Sequence, residues 1–325
     1  MKAIVYTTHG SPDVLQLKEV EKPVLKETQL LIKVHAASVN ALDSHLMHGI
    51  PGVAYMMDRL FKPKPKTPGV DLSGRVEAIG SAVAKFQVGD EVFGSGYKTF
   101  AEYATTLERL VVLKPATVTF EAAAAVSVAG LTALQGLRDV GKIKSGQSVL
   151  IHGAGGGVGT FAVQIAKSFG AEVTAVCSTK NLEMVRSIGA DHVIDYTQED
   201  FTHSGKRYDL IMTVNGYHPI SAYRRALSPH GVLVHAGVSK SRLLRAMLEV
   251  MLLGPLISLT GKQKVRFFMA RVRTDDLLFL KELLEKGQLN PVIDRQFQLS
   301  EAADAIRYLE EWHSRGKVIV QVAHG

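Results

Sequence analysis

The residues best placed by type and spacing to do chemistry lie in one turn. Val149-Leu150-Ile151-His152 reads as the end of a strand. It runs directly into Gly153-Ala154-Gly155-Gly156-Gly157-Val158-Gly159 and then a helical segment. Residues this small let backbone come close to a bound group. A helix opening there presents free N–H donors and the positive end of its dipole, a combination suited to a pyrophosphate. In register the fingerprint is Ala154-x-Gly156-x-x-Gly159, with Gly157 and Val158 completing the turn. Alone such a motif is weak. Here a strand precedes it, a helix follows it, and both belong to a βαβ unit, which is the context that gives it meaning.

The next strand ends in Val176-Cys177-Ser178-Thr179-Lys180-Asn181. A dinucleotide with free ribose hydroxyls calls for Asp or Glu at that end. No carboxylate is present, and Glu172 lies at the opposite end of the strand. Ser178 and Lys180 offer a hydroxyl and a positive charge for a 2′-phosphate, and Tyr196 can add its hydroxyl from the following strand. The expected cofactor is NADPH. An ordinary solvated lysine is the other reading of Lys180.

These residues need a scaffold. From Ser148 the pattern alternates. Strands are expected at Ser148–His152, Glu172–Cys177, His192–Asp195, 210–214 and 232–236, and helices at 158–169, 182–188 and Ile220–Ala226. Alternation of this kind predicts a parallel sheet covered on both faces, wound by right-handed crossovers into a Rossmann-type α/β domain. Residues 1–120 are β-rich instead, with strands at 2–6, 29–37, 71–79 and 91–94 between turn signals such as Gly10-Ser11-Pro12 and Val88-Gly89-Asp90. Residues 51–68, rich in Pro and Lys, read as a loop over a cleft. Residues 121–128 and 132–140 are helical in pattern. An amphipathic helix is expected at 274–286, another from Ser300 with Asp304 closing a Ser-x-x-x-acid cap, and a last strand at 317–322. That tail is too short to fold alone and is expected to return to the first domain. The organisation is then 1–121, an inserted doubly wound domain at 122–265, and 266–325.

Composition narrows the classes. The chain has 325 residues, 46% hydrophobic and 21% charged, enough for two cored domains and against global disorder. A single cysteine, Cys177, excludes an internal disulfide framework and any multi-cysteine zinc site, and fits a reducing compartment. The N-terminus reads as a strand rather than a signal peptide, and cytoplasmic localisation is expected. The longest apolar stretch, residues 243–259, contains Arg245, Glu249, Gly254 and Pro255. It reads as buried or at a subunit contact, with a membrane-surface helix as the alternative. The net charge of +7 is scattered along the chain. This suits solubility and an anionic cofactor better than nucleic acid.

Segments 36–43, 68–76, 88–94, 100–103, 130–134 and 316–320 join the glycine turn in a pattern found over nearly the whole chain. It resembles the zinc-free quinone oxidoreductase, or zeta-crystallin-like, branch of the medium-chain dehydrogenase/reductase superfamily. The resemblance implies a Rossmann domain set within a GroES-like substrate domain. Zinc-binding relatives carry a Cys near 40–43, a His-Glu pair near Val70-Asp71, and four close cysteines after the segment matching 88–94; none is present here. The resemblance also implies that Asn40 and Asp43 lie in the active-site cleft, Asn40 hydrogen bonding near the hydride acceptor and Asp43 ordering the loop. A turn-stabilising Asx pair is the plainer reading of both. Some relatives carry a tyrosine where His45 stands, and His45, His48 and Tyr55 are the candidate proton donors. Thr132 would contact the nicotinamide side. Asn215-Gly216 and Gly237-Val238 follow strands at the carboxyl edge of the sheet, where cofactor binds. Lys317 and Arg315 could reach phosphate from the C-terminal segment, a surface cation being the other reading of each. A homodimer is implied. The expected activity is NADPH-dependent reduction of a hydrophobic quinone or α,β-unsaturated carbonyl. Enoyl-thioester reduction, RNA binding and membrane association with little turnover are the alternatives.

Overall fold

In the computed structural model, which describes residues 1–49, 65–214, 216–236, 257, 261–311 and 314–323, the chain opens with β1 (Lys2–Val5), β2 (Gln16–Glu19), β3 (Gln29–Val39) and α1 (Ala41–His48). β4 (Asp71–Ile79), β5 (Glu91–Ser95), β6 (Tyr103–Leu107), β7 (Val111–Leu113), α2 (Phe120–Ala124) and α3 (Ser127–Leu134) follow. Next come β8 (Ser148–His152), α4 (Gly157–Ser168), β9 (Glu172–Cys177), α5 (Leu182–Ser187), β10 (His192–Asp195), β11 (Tyr208–Thr213), α6 (Ile220–Ala226), β12 (Leu227–His235) and β13 (Lys264–Phe267). The chain closes with α7 (Thr274–Glu285), β14 (Ile293–Gln298), α8 (Ala302–Glu310) and β15 (Lys317–Gln321). It divides into two compact units. One holds Met1–Ala129, Val272–Lys286 and Pro291–Gly325; the other holds Gly130–Arg271 and Gly287–Asn290.

The first unit is built on a seven-stranded sheet, β14-β15-β3-β4-β5-β7, with β6 also paired to β3. β14 and β15 are parallel and the other pairs antiparallel. β3 is long, and its buried Leu30, Ile32 and Val34 meet Leu72 and Val76 of β4, Val318 and Val320 of β15, and Ile306 of α8 in one core. Burying each such side chain contributes roughly 1.5–3 kcal/mol.

The second unit is a six-stranded parallel sheet in the order β10-β9-β8-β11-β12-β13. Its central strands are apolar runs, since both faces are covered. Leu150, Val176, Ile211 and Leu233 are fully buried and pack with Tyr208 and Tyr223. This is the doubly wound sheet expected from the alternating pattern.

Three local expectations need correction. The helix expected over 132–140 stops at Leu134 and continues as a wider π-helical turn over Gln135–Val140. Gly141 N–H reaches back to Gly136 O, while both ends of the Gln135 amide bond Arg271 backbone. The helix near 300 is not capped by Ser300 with Asp304. Gln298 N–H donates to Glu301 Oε2 at 2.7 Å, and Asp304 pairs with Arg307. Strands β2, β6, β7, β13 and β14 were not expected. Residues 243–256 and most of 51–68 lie outside the described residues.

Candidate functional site

In the second unit, Gly153 adopts a left-handed φ of +90°, and the N–H groups of Gly153 and Ala154 both donate to Val176 O at 3.1 and 3.0 Å. The turn is thereby bound to β9, with Ala154 fully buried beneath it. A Cβ on Gly159 would stand 2.1 Å from Gly153 O, so only glycine lets α4 start so close to the turn. A Cβ on Gly155 would meet Asn181 Nδ2 at 2.5 Å. Gly156 differs: the nearest atom to its Cβ would be Gly153 O at 3.8 Å. Packing within the chain does not demand glycine there, and the missing side chain leaves open space over the turn. The first α4 bond runs from Thr160 N–H to Gly156 O at 3.0 Å. The N–H groups of Gly157, Val158 and Gly159 precede it and are the helix's unsatisfied donors. Open space, donors and the positive helix end form a cradle that fits a pyrophosphate.

The loop after β9 continues this surface. Lys180 is exposed, with no partner for its ammonium among the described residues. Ser178 Oγ accepts from Asn181 Nδ2 at 3.3 Å. Tyr196, 58% exposed, is held beside the end of β9 by its N–H donating to Cys177 O at 3.1 Å. Asp195 closes β10, but its carboxylate accepts from the Thr179 hydroxyl and from the N–H and hydroxyl of Thr197. Those bonds, the Thr179 hydroxyl first, hold it below the usual carboxylate range. The hydroxyls of Ser178 and Tyr196 and the exposed Lys180 ammonium suit a 2′-phosphate at this edge.

In the first unit, the start of α1 rests on a buried polar network. Asn40 N–H donates to Asp43 Oδ2 at 2.8 Å, and Gly69 N–H donates to Asp43 Oδ1 at 3.2 Å. The Asn40 amide nitrogen donates to Asp71 Oδ2 at 2.9 Å and to Ser38 O at 3.2 Å. Its Oδ1 accepts from Lys317 Nζ at 2.7 Å. Lys317 also donates to Val39 O at 3.2 Å and lies 3.8 Å from Asp71 Oδ2. Asp71 further accepts from Ser38 Oγ at 2.8 Å and Val128 N–H at 3.0 Å.

This placement corrects the expectation that Lys317 reaches a phosphate. Its side chain is 4% exposed and its ammonium is an internal cation. The Asn40 amide has both hydrogens committed inside the protein. The two residues meet because β15 pairs with β3 in the register Val318↔Val39. His45 is exposed on α1, while Asp43, Ser44 and Met47 face inward. His48 Nε2 lies 2.6 Å from Glu310 Oε1 of α8. Among the described residues, no group of three or more His, Cys, Asp or Glu is placed to hold a metal ion.

Burial pushes Asp43 up to about 7, with the charge of Asp71 adding to the rise against its two backbone donors and Lys317. The folded state therefore keeps the Asp43 proton over a range where the unfolded chain, ionising near 3.8, has released it. This contribution to stability is full at low pH and is lost as pH rises toward 7. Burial acts on His152 in the opposite sense, pushing it down to about 3, so its contribution is lost as pH falls below 6.5. Comparison with Asp43→Asn isolates the first effect. The unfolding temperature of the variant relative to wild type is expected to rise between about pH 4 and 7 and level off above. A difference constant across that interval would mean that Asp43 is ionised throughout.

Thr132 is buried in α3. Asn215, Gly237 and Val238 lie outside the described residues. Sequence reasoning did not single out His152, Asn181, Tyr223 or Asp71 as site residues. Asn181 seals the back of the glycine turn at Gly155, and the position of His152 immediately before that turn was the one available signal.

A doubly wound sheet with this cradle defines a dinucleotide-binding oxidoreductase domain, joined here to a β-rich unit. Residues 26–116 match the alcohol dehydrogenase GroES-like domain family, and residues 188–320 match the zinc-binding dehydrogenase family. The chain is 34% identical to a chloroplastic quinone oxidoreductase of Triphysaria versicolor, covering 99% of this chain and 98% of that one. It is 35% identical to a chloroplastic NADPH-dependent alkenal/one oxidoreductase of Arabidopsis thaliana, covering 98% and 79%. The solved quinone oxidoreductase of Coxiella burnetii superposes with a TM-score of 0.86 at 32% identity, covering 99% of each chain. The chain belongs to the quinone oxidoreductase, zeta-crystallin-like branch of the medium-chain dehydrogenase/reductase superfamily.

Proposed function

We propose that this chain is an NADPH-dependent oxidoreductase that delivers hydride to a quinone or an α,β-unsaturated carbonyl. The observation that carries the reading is the cradle over Gly156, continued by Ser178 and the free Lys180 ammonium. Gly157, Val158 and Gly159 would hold the pyrophosphate by backbone N–H, and Ser178, Lys180 and Tyr196 the 2′-phosphate. Thr132, Asn215, Gly237 and Val238 are assigned to the nicotinamide side. The bound nicotinamide supplies the hydride; the protein supplies orientation and electrostatics. A quinone takes its protons from solvent. An enone needs one at the α-carbon, and exposed His45 is the candidate donor. Asn40 and Asp43 are assigned to shaping the loop that opens α1.

Four finer readings belong to the same proposal. The enzyme works without zinc, supported by its single cysteine, which is buried. It forms a homodimer, supported by β13, which among the described residues is one of the two edge strands of the parallel sheet. Its substrate is small and hydrophobic, supported by the quinone and alkenal relatives. It resides in the cytoplasm, supported by the single cysteine, which fits a reducing compartment.

The test is cofactor oxidation followed at the nicotinamide absorbance. NADPH and NADH are run against 1,4-benzoquinone, 9,10-phenanthrenequinone, an alkenal and a crotonyl thioester, with and without a chelator. Turnover with NADPH far above NADH, unaffected by chelator, is expected. Absence of turnover with every acceptor would sink the enzymatic reading. The double variant Ser178→Ala/Lys180→Ala is expected to raise KM for NADPH roughly 10- to 100-fold, the worth of lost charge-assisted hydrogen bonds. KM for NADH should stay within about twofold, since NADH has no phosphate for these groups to hold.

A further inference from the structure

The strand order of the parallel sheet reverses between β8 and β11. From β8 the chain winds outward to β10, then returns to β11 and winds outward to β13. The crevice beside such a point is where a dinucleotide passes from one mononucleotide-binding half to the other. A buried side chain bridges it. Tyr223, fully buried on α6, has its hydroxyl 2.9 Å from Nδ1 of His152, the last residue of β8. The same hydroxyl oxygen accepts the N–H of His218, beyond β11, at 3.2 Å.

The turn after β11 is tied at three further places. Val214 N–H donates to His152 O at 3.0 Å, and Thr213 Oγ1 donates to Gly216 O at 3.2 Å. A Cβ on Gly216 would stand 2.1 Å from His152 Nε2, so the imidazole edge is seated on that glycine. The Tyr223 hydroxyl thus shares one hydrogen bond with His152 Nδ1 while accepting another from the His218 backbone. Burial keeps the His152 ring neutral, pushing it down to about 3.

We propose that Tyr223 is a positioning residue for the cofactor: its hydroxyl clasps the two halves of the sheet across the reversal point and aligns the β11 turn for the nicotinamide half of NADPH. This rests on the NADPH reading above. It separates Tyr223 from a plain core tyrosine, because a clasp across the halves matters to a ligand spanning both and not to a ligand confined to one.

Tyr223→Phe keeps the ring among Phe201, His218 and His235 and removes only the hydroxyl. Wild type and variant are titrated calorimetrically with NADPH and with 2′,5′-ADP, which carries the adenosine half alone. The dissociation constant for NADPH is expected to rise roughly tenfold, the order of one buried hydrogen bond, while that for 2′,5′-ADP stays within about twofold. Gly216→Ala, which displaces the imidazole from the other side, is expected to give the same split. Equal weakening of both ligands, or of neither, overturns the proposal while leaving the NADPH reading standing. A wild-type protein that binds neither ligand overturns that reading and the proposal with it.

Discussion

Gly156→Ala is expected to fold with wild-type stability and lose NADPH, whereas Gly159→Ala is expected to lose the turn itself. Gly156 has an extended backbone, φ −90° and ψ 179°, which alanine adopts freely. Its methyl would touch nothing nearer than 3.8 Å in the protein, and a less flexible unfolded chain adds about 0.4–1 kcal/mol in its favour. The methyl would stand where a pyrophosphate meets the N–H groups of Gly157 and Val158. Losing two of those contacts raises the dissociation constant by about 100-fold, equivalent to roughly 2.7 kcal/mol. At Gly159 the obstruction is backbone, with Gly153 O at 2.1 Å and Ala154 Cα at 2.7 Å. No rotamer relieves it, so α4 must shift from the turn at a cost of about 1–3 kcal/mol or more. Thermal unfolding and a nicotinamide fluorescence titration of each variant separate the two cases. A Gly156→Ala protein that binds NADPH normally would show that the open space over this residue is not the phosphate site.

The contrast between these glycines explains what was legible in sequence. A glycine cluster between strand and helix is a local signal, and the cradle needs nothing beyond it. β4, β8, β9, β10 and α6 also carry local signals, β-prone runs between turn signals or helical periodicity, and they form over the expected residues. β2 carries none. Gln16–Glu19 is exposed throughout, and only backbone pairing with β1 makes it a strand. Side chains acting across the fold were equally silent. Lys317 and Asn40 are 277 positions apart, and the pairing of β15 with β3 brings ammonium and amide together. A C-terminal lysine beside a glycine reads as a phosphate ligand until that pairing buries it. His152 and Tyr223 are separated by 71 positions and meet for the same kind of reason.

Lys317→Met is expected to destabilise the protein by about 3–5 kcal/mol, because it leaves Asp71 as a buried charge without its cation. Lys317 is buried, and methionine keeps an unbranched side chain at that position while removing the ammonium. Burial raises Asp71 and lowers Lys317, and each offsets part of the other's shift. Ser38, Asn40 and Val128 still donate to Asp71 in the variant. Asn40 Oδ1, however, loses its donor at the start of α1. For a unit of this size the unfolding temperature should fall on the order of 10 °C. The companion variant Lys317→Met/Asp71→Asn removes both charges and is expected to recover about 1–3 kcal/mol of the loss. That recovery distinguishes an internal ion pair from a lysine that matters for its packing alone. A Lys317→Met protein that melts like wild type but binds NADPH more weakly would instead restore this lysine to the phosphate.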